Sequence, residues 1–239
     1  MINAGEVRVG GAVVTRASTS VRPSDPISTS VDPYVSRGAY KLLGALDDLG
    51  LAVSGRALDA GASTGGFTQV LLERGATAVT AVDVGSGQLD ARLRADPRVR
   101  SWEQTNLRDL TLAQVGGEPV DLVAADVSFI SLTLLVAPLG GVTRDDGRLL
   151  LMVKPQFEVG RERLGKGGVV RSVELHRLAV DQVVAAAAAA GWYAQAGVPS
   201  RLPGPSGNRE FFVLFARSAP RPDFDAAGIV AVDAEPVDG

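Results

Sequence analysis

The chain has no cysteine and one histidine, His176, among its 239 residues. The first absence excludes disulfides, thiolate metal sites and a cysteine nucleophile, and with it base C5-methylation through a cysteine adduct. The second excludes a histidine metal cluster and leaves one residue for any Ser-His-Asp triad. His176 itself is expected as an ordinary polar residue on a helix face. Long apolar runs are also missing: the longest candidate, 183–190, is only valine and alanine, far short of the roughly 18 to 20 residues of a membrane span. MINAGEVRVG has neither the basic nor the apolar region of a signal peptide. The expectation is a cytoplasmic protein with no membrane and no metal partner.

Excess positive charge is lacking overall, at net −3, which argues against a nucleic-acid partner until its distribution is read. Residues 218–239 carry one Arg and five acids, so residues 1–217 are at +1, and residues 154–171 alone reach +3. With 46% apolar residues there is material for one sizeable core.

What the sequence does have is LDAGASTGGFT at 58–68, a strand ending in an acid followed by a glycine turn and a helix start, with a second strand ending at Asp83. That is a nucleotide-type pocket. A P-loop would need lysine where Phe67 stands, and G-x-G-x-x-G fails at Ser63. Asp59 repels a pyrophosphate and attracts a cation. S-adenosylmethionine, with an ammonium, a sulfonium and ribose hydroxyls for Asp83, fits better than a phosphate ligand.

Around this loop the patterning alternates. Two short runs, 7–9 and 12–15, flank Gly10 and Gly11 as a small hairpin within residues 1–22; 23–33 reads as a linker and 37–49 as a helix stopped by Gly50. Strands are expected near 56–60, 77–83, 98–103, 120–126 and 147–154 with helices between, then a long helix over 173–190 and a final strand pair whose last member, EFFVLFA, is antiparallel. This is an α/β fold, with a mostly parallel sheet covered on both faces. The Pro-containing acidic tail, 218–239, is expected to be disordered. Ligands of such sheets bind beyond the carboxyl ends of the strands. Asp59, Asp83, Asp126 and Lys154 each end an expected strand, and Glu210 begins the antiparallel one, so five ionisable residues share one rim.

SRGAYKL (36–42), ASTGGFT, AVDVG, DVSFISL (126–132), KPQFE and GNREFF (207–212) together resemble the hemolysin A type (TlyA) ribosomal RNA methyltransferases, within the FtsJ-like (RrmJ-like) group of RNA ribose 2′-O-methyltransferases. The resemblance spans about residues 30–217. It implies a Rossmann-like S-adenosylmethionine-dependent methyltransferase domain over 34–217, with a seven-stranded sheet. It implies a catalytic tetrad on Lys41, Asp126, Lys154 and Glu210, and cofactor contacts on Gly61, Ser63, Gly65, Gly66, Phe67, Asp83, Asn106 and Asp126, alongside Asp59. Asn106 stands where many FtsJ-like members have Asp. The implied partner is ribosomal RNA or a ribosomal subunit, methylated at cytidine in small- or large-subunit RNA. The 1–22 hairpin looks like the second half of the alpha-L RNA-binding module of this family. Its helical first half is not in the sequence, which implies an upstream start or a shortened form.

Methyl transfer from a sulfonium is an in-line displacement, so the chain must align the 2′-oxygen and relieve it of a proton. Lys154 is the candidate acceptor, with positioning or electrostatic aid as the rival role. An exposed lysine of pKa about 10.4 is only ~0.1% neutral near pH 7.5, whereas a value of about 8 would make roughly a quarter neutral, at a cost of about 3 kcal/mol. The segment after Lys154 is long and glycine-rich, and is expected to be an RNA-facing lid with Arg161, Arg163, Lys166 and Arg171 on phosphates.

Two other classes compete. A base N-methyltransferase would stack a flipped base on Phe129, but DVSF lacks the usual prolines and both lysines would be idle; Phe129 is expected in the core. A non-catalytic RNA- or ribosome-binding protein would not need four aligned ionisable residues. Nothing supports pore formation, despite the hemolysin name.

Overall fold

The structure, a computed structural model, describes residues 1–29, 32–219, 221 and 223–231. The chain divides into two units, Met1–Val35 and the residues from Ser36 onward. In the first, β1 (Val7–Val9) pairs antiparallel with β2 (Ala12–Val14). The turn between them places Gly10 and Gly11 at φ 57° and 85°, the left-handed pair that a two-residue hairpin demands. A third strand, β3 (Ile27–Thr29), pairs with the other edge of β1. It falls inside the span read as a linker. Three residues after Pro26 are too short for alternation to register. Ser30 and Val31 of that span lie outside the described residues.

The second unit opens with α1 (Gly38–Leu49), which buries Ala39, Leu42, Ala45 and Leu46 at helical spacing and ends on Gly50 at φ 58°. Then follow β4 (Arg56–Ala60), α2 (Gly66–Glu73), β5 (Ala78–Val82), α3 (Ala91–Arg94), β6 (Val99–Trp102), β7 (Val120–Ala125), α4 (Val136–Gly141), β8 (Thr143–Val153), α5 (Pro155–Glu158), α6 (Val173–Ala189), β9 (Tyr193–Pro199), β10 (Phe211–Ala216) and α7 (Ala226–Ala231). The sheet order is β6-β5-β4-β7-β8-β10-β9, with β10 antiparallel to both neighbours and β4 to β8 mutually parallel. The order reverses between β4 and β7, the point at which such sheets open a crevice.

Three sequence expectations change here. β8 begins at Thr143 rather than 147, because its first turn of chain, Arg144 to Asp146, is exposed and polar. Within the tail expected to be disordered, α7 buries Ala226, Ile229 and Val230 against α6 and β9. Its i, i+3, i+4 stripe is only six residues long and sits in acidic, proline-containing sequence. Pro220, Pro222 and residues 232–239 lie outside the described residues. His176 is on α6 but is buried, with Nε2 2.9 Å from the Val170 carbonyl and its ring against Phe211. Burial lowers its pKa. Among the described residues no helix is long and apolar enough to cross a membrane.

Candidate active site

Register brings the rim together. Ala60 of β4 pairs with Val82 of β5 and Ala125 of β7, so Gly61, Asp83 and Asp126 emerge level. Phe211 of β10 pairs with Val153 of β8, which sets Glu210 level with Lys154. Between these strand ends and the start of α1 lies a cavity of about 260 Å³ whose wall includes Lys41, Asp126 and Lys154.

The four ionisable groups form two ion pairs. Lys154 Nζ lies 2.5 Å from Asp126 Oδ1 and donates to Ser128 Oγ at 2.9 Å. Lys41 Nζ lies 2.5 Å from Glu210 Oε2. Lys41, Lys154 and Glu210 are 6%, 8% and 2% exposed. Glu210 does not itself line the cavity; it holds Lys41 from behind. Buried charges persist only when paired in this way.

The glycine loop is shaped by close approach. Gly61 is at φ 89°, and a side chain there would collide with the backbone oxygen of Asp126. At Gly66 a side chain would meet Ser36 Oγ and the Ala39 amide of α1, so α2 can start against α1 only with glycine. Gly61, Ser63, Gly66 and Phe67 line the cavity. Gly65 instead faces Leu89 and Leu93. Asp83 borders a small adjoining cleft that shares Ala62 and Ser63 with the main one. Its Oδ2 accepts from Ser63 N at 2.9 Å and its Oδ1 from Gly85 N at 2.7 Å, which fixes the carboxylate while leaving lone pairs for a diol.

Besides Gly65, two expected cofactor residues line neither cavity. Asp59 is fully buried beneath the loop, where Oδ2 accepts from Thr68 N and Thr68 Oγ1 at 2.8 and 2.6 Å. It braces α2 rather than facing either cavity. Burial pushes its carboxyl up to about 7. Asn106 is exposed and caps the 107–109 turn, its Oδ1 accepting from Arg108 N at 3.0 Å, and it lines neither cavity.

Phe129 overturns its expectation most clearly. It is 92% exposed at φ 65°, with its ring 5.2 Å from that of Phe157. Left-handed backbone is costly for a bulky side chain, so the loop is forced to present this ring. Arg161, Arg163, Lys166 and Arg171 are all exposed on the segment after α5, and none lines the cavity. That segment is fastened at its far end: Asn208 Nδ2 donates to the Gly168 carbonyl at 3.1 Å and Asn208 Oδ1 accepts from Val170 N at 2.9 Å.

The FtsJ-like methyltransferase family model matches residues 34–217. The chain belongs to this family. It is 48% identical to the 16S/23S rRNA (cytidine-2′-O)-methyltransferase TlyA of Mycobacterium tuberculosis, over 89% of this chain and 81% of the relative. It is 36% identical to hemolysin A of Brachyspira hyodysenteriae, over 90% of each. A solved structure from Streptococcus thermophilus, described as a candidate hemolysin, superposes with a TM-score of 0.79 at 36% identity, over 96% of this chain and 86% of that one. The ion-paired rim is therefore the rim of an FtsJ-like methyltransferase.

The cavity wall of this methyltransferase also includes residues that sequence reading passed over. Ser36, Arg37, Ser128, Pro203 and Pro205 are among them. Ser128 was legible inside DVSF, and Arg37 inside SRGAYKL. The two prolines carried no chemical signal.

Proposed function

We propose that the protein transfers a methyl group from S-adenosylmethionine to a ribose 2′-hydroxyl of ribosomal RNA, cytidine being the nucleoside its relatives' names specify. The observation that carries this reading is the cavity with Lys154–Asp126 and Lys41–Glu210 pairs beside a glycine loop without a phosphate-binding lysine. The donor set suits a cationic, phosphate-free nucleoside: Asp126 on the wall of the main cavity, Asp83 on that of the adjoining cleft, and no cation on the 61–66 loop. Gly61, Ser63, Gly66, Phe67 and Asp83 would hold the cofactor, which when bound supplies an electrophilic methyl on a sulfonium.

The chain's own work is alignment and proton removal. Lys154, once its ammonium has given a proton to water, takes the 2′-hydroxyl proton and returns to the ammonium that Asp126 pairs with. Ser128 aims that amine. Lys41, fixed by Glu210, supplies positive charge to the developing alkoxide. Arg37 at the cavity wall and the four cations of the 160–171 segment take backbone phosphates, and Phe129 offers its face to a base.

Incubation with methyl-labelled cofactor and separated ribosomal RNAs or subunits, followed by nuclease digestion, tests the reading. Label on ribose is expected. Label on a base would replace it with base N-methylation, the reading that the exposed Phe129 otherwise favours. For Lys154, the single-turnover rate against pH should show an ionisation that vanishes in Lys154→Ala; its absence in the wild type sinks the base role.

A further inference from the structure

Glu158 is a partly buried carboxylate near the site to which the mechanism gives no task. It closes α5, four residues after Lys154, and burial raises its pKa. Among the described residues no cation pairs with it. Both oxygens are instead given to the loop that follows β7: Oε2 accepts from Ser131 Oγ at 2.5 Å and Oε1 from Leu132 N at 2.9 Å.

These bonds are the last of three rungs between the same two segments. Lys154 binds Asp126 and Ser128 at the start of the β7 loop. The Phe157 ring meets the Phe129 ring in the middle. Glu158 takes Ser131 and Leu132 at the end. The loop between the outer rungs contains the left-handed Phe129, a conformation that reverts unless its surroundings over-determine it. The first rung alone holds only one end.

We propose that Glu158 is a positioning residue for methyl transfer: by anchoring Ser131 and Leu132 it keeps the 126–132 loop in the strained form that aims Asp126 and Ser128 at Lys154 and turns Phe129 outward. Its effect on the reaction rests on the function proposed above; its effect on the loop does not.

The test uses the full chain as wild type, Glu158→Ala, Glu158→Gln, Ser131→Ala and the Glu158→Ala/Ser131→Ala double variant. Hydrogen exchange reads the loop without any reaction. Amides of 127–132 should exchange at least about tenfold faster in Glu158→Ala, while those of β4 and β8 stay unchanged. Single-turnover methylation at saturating RNA and cofactor should fall about 10- to 100-fold, with cofactor affinity within about twofold of wild type. Glu158→Gln keeps an acceptor for Leu132 N and offers a donor to Ser131 Oγ, and should recover most of the rate. The double variant should be no slower than Glu158→Ala, since both changes break one anchor.

Unchanged exchange in 127–132 overturns the proposal, and so does a wild-type single-turnover rate in Glu158→Ala. A loss that Gln fails to restore, with exchange rising across the whole sheet, also overturns it by showing a general stability role. If Glu158→Ala does not fold, Ser131→Ala carries the same two readouts. Wild-type protein that labels no ribose would instead refute the proposed reaction, and the exchange comparison would still decide the anchor.

Discussion

Lys41 and Glu210 are 169 residues apart in the chain and 2.5 Å apart in the fold, with both side chains nearly inaccessible to water. The pair joins α1 to the residue just before β10. Removing one partner from such a pair strands a buried charge, at about 3 to 5 kcal/mol. Glu210→Ala is expected to lose stability of that order in urea unfolding and to lose methylation. Replacing both, as Lys41→Met with Glu210→Met, should regain most of the stability and none of the activity. A double variant that methylates would show the pair to be structural only.

Asp59 gives a stability prediction whose sign follows from burial. Its carboxyl titrates at about 7 when folded, raised chiefly by desolvation against the Thr68 bonds, and near 3.9 when unfolded. Between those values the folded state binds the extra proton, so this residue's contribution falls as pH rises from about 4 to 7 and is level beyond. Asp59→Asn can keep the acceptor for Thr68 and carries no such loss. Its stability relative to wild type should rise across that window, by on the order of 4 kcal/mol in full. Urea unfolding at a series of pH values reads this, and a constant offset between the two proteins would contradict it.

Asn208 satisfies two backbone groups of the 160–171 segment, from a site 3% exposed. Asn208→Ala leaves the Gly168 carbonyl and Val170 amide without their partner, at roughly 1 to 3 kcal/mol. Faster exchange at the Val170 amide is expected, together with a weaker apparent RNA affinity and a smaller change in rate at saturation. Equal effects on both would place Asn208 in the chemistry instead.

The cations of that segment should act through phosphate. Charge reversal at Arg161 and Arg163 is expected to weaken RNA binding and to flatten its dependence on salt, by roughly 0.7 in log–log slope for each single-strand phosphate left without its cation. Cofactor binding should be unaffected. An unchanged salt slope would take these residues out of the interface.

Most of the sheet was legible because β4, β5, β7 and the second half of β8 are apolar runs with an acid or lysine at or beside their ends, and the rim followed from those strand ends. The ion pairing was not: nothing local in SRGAYKL or GNREFF states that Lys41 meets Glu210. Asp59 misled because a carboxylate before a glycine turn reads the same whether it points at a ligand or under the loop; only the Thr68 bonds decide it. Phe129 misled because apolar residues are placed inside by default, and its left-handed loop is anchored by Lys154 and by Phe157 and Glu158 of α5, far along the chain. The short strand β3 and helix α7 lacked the length that periodicity needs.

The position of β10 between β8 and β9 has a consequence for synthesis. A ribosome releasing this chain from its N-terminus completes the glycine loop, Asp83, Asp126 and Lys154 long before Glu210 appears. Until residues 211–216 insert, β9 has no strand beside it and Lys41 has no counter-charge. A nascent chain therefore holds the glycine loop well before it holds the Lys41–Glu210 pair, and the paired rim closes only when β10 arrives.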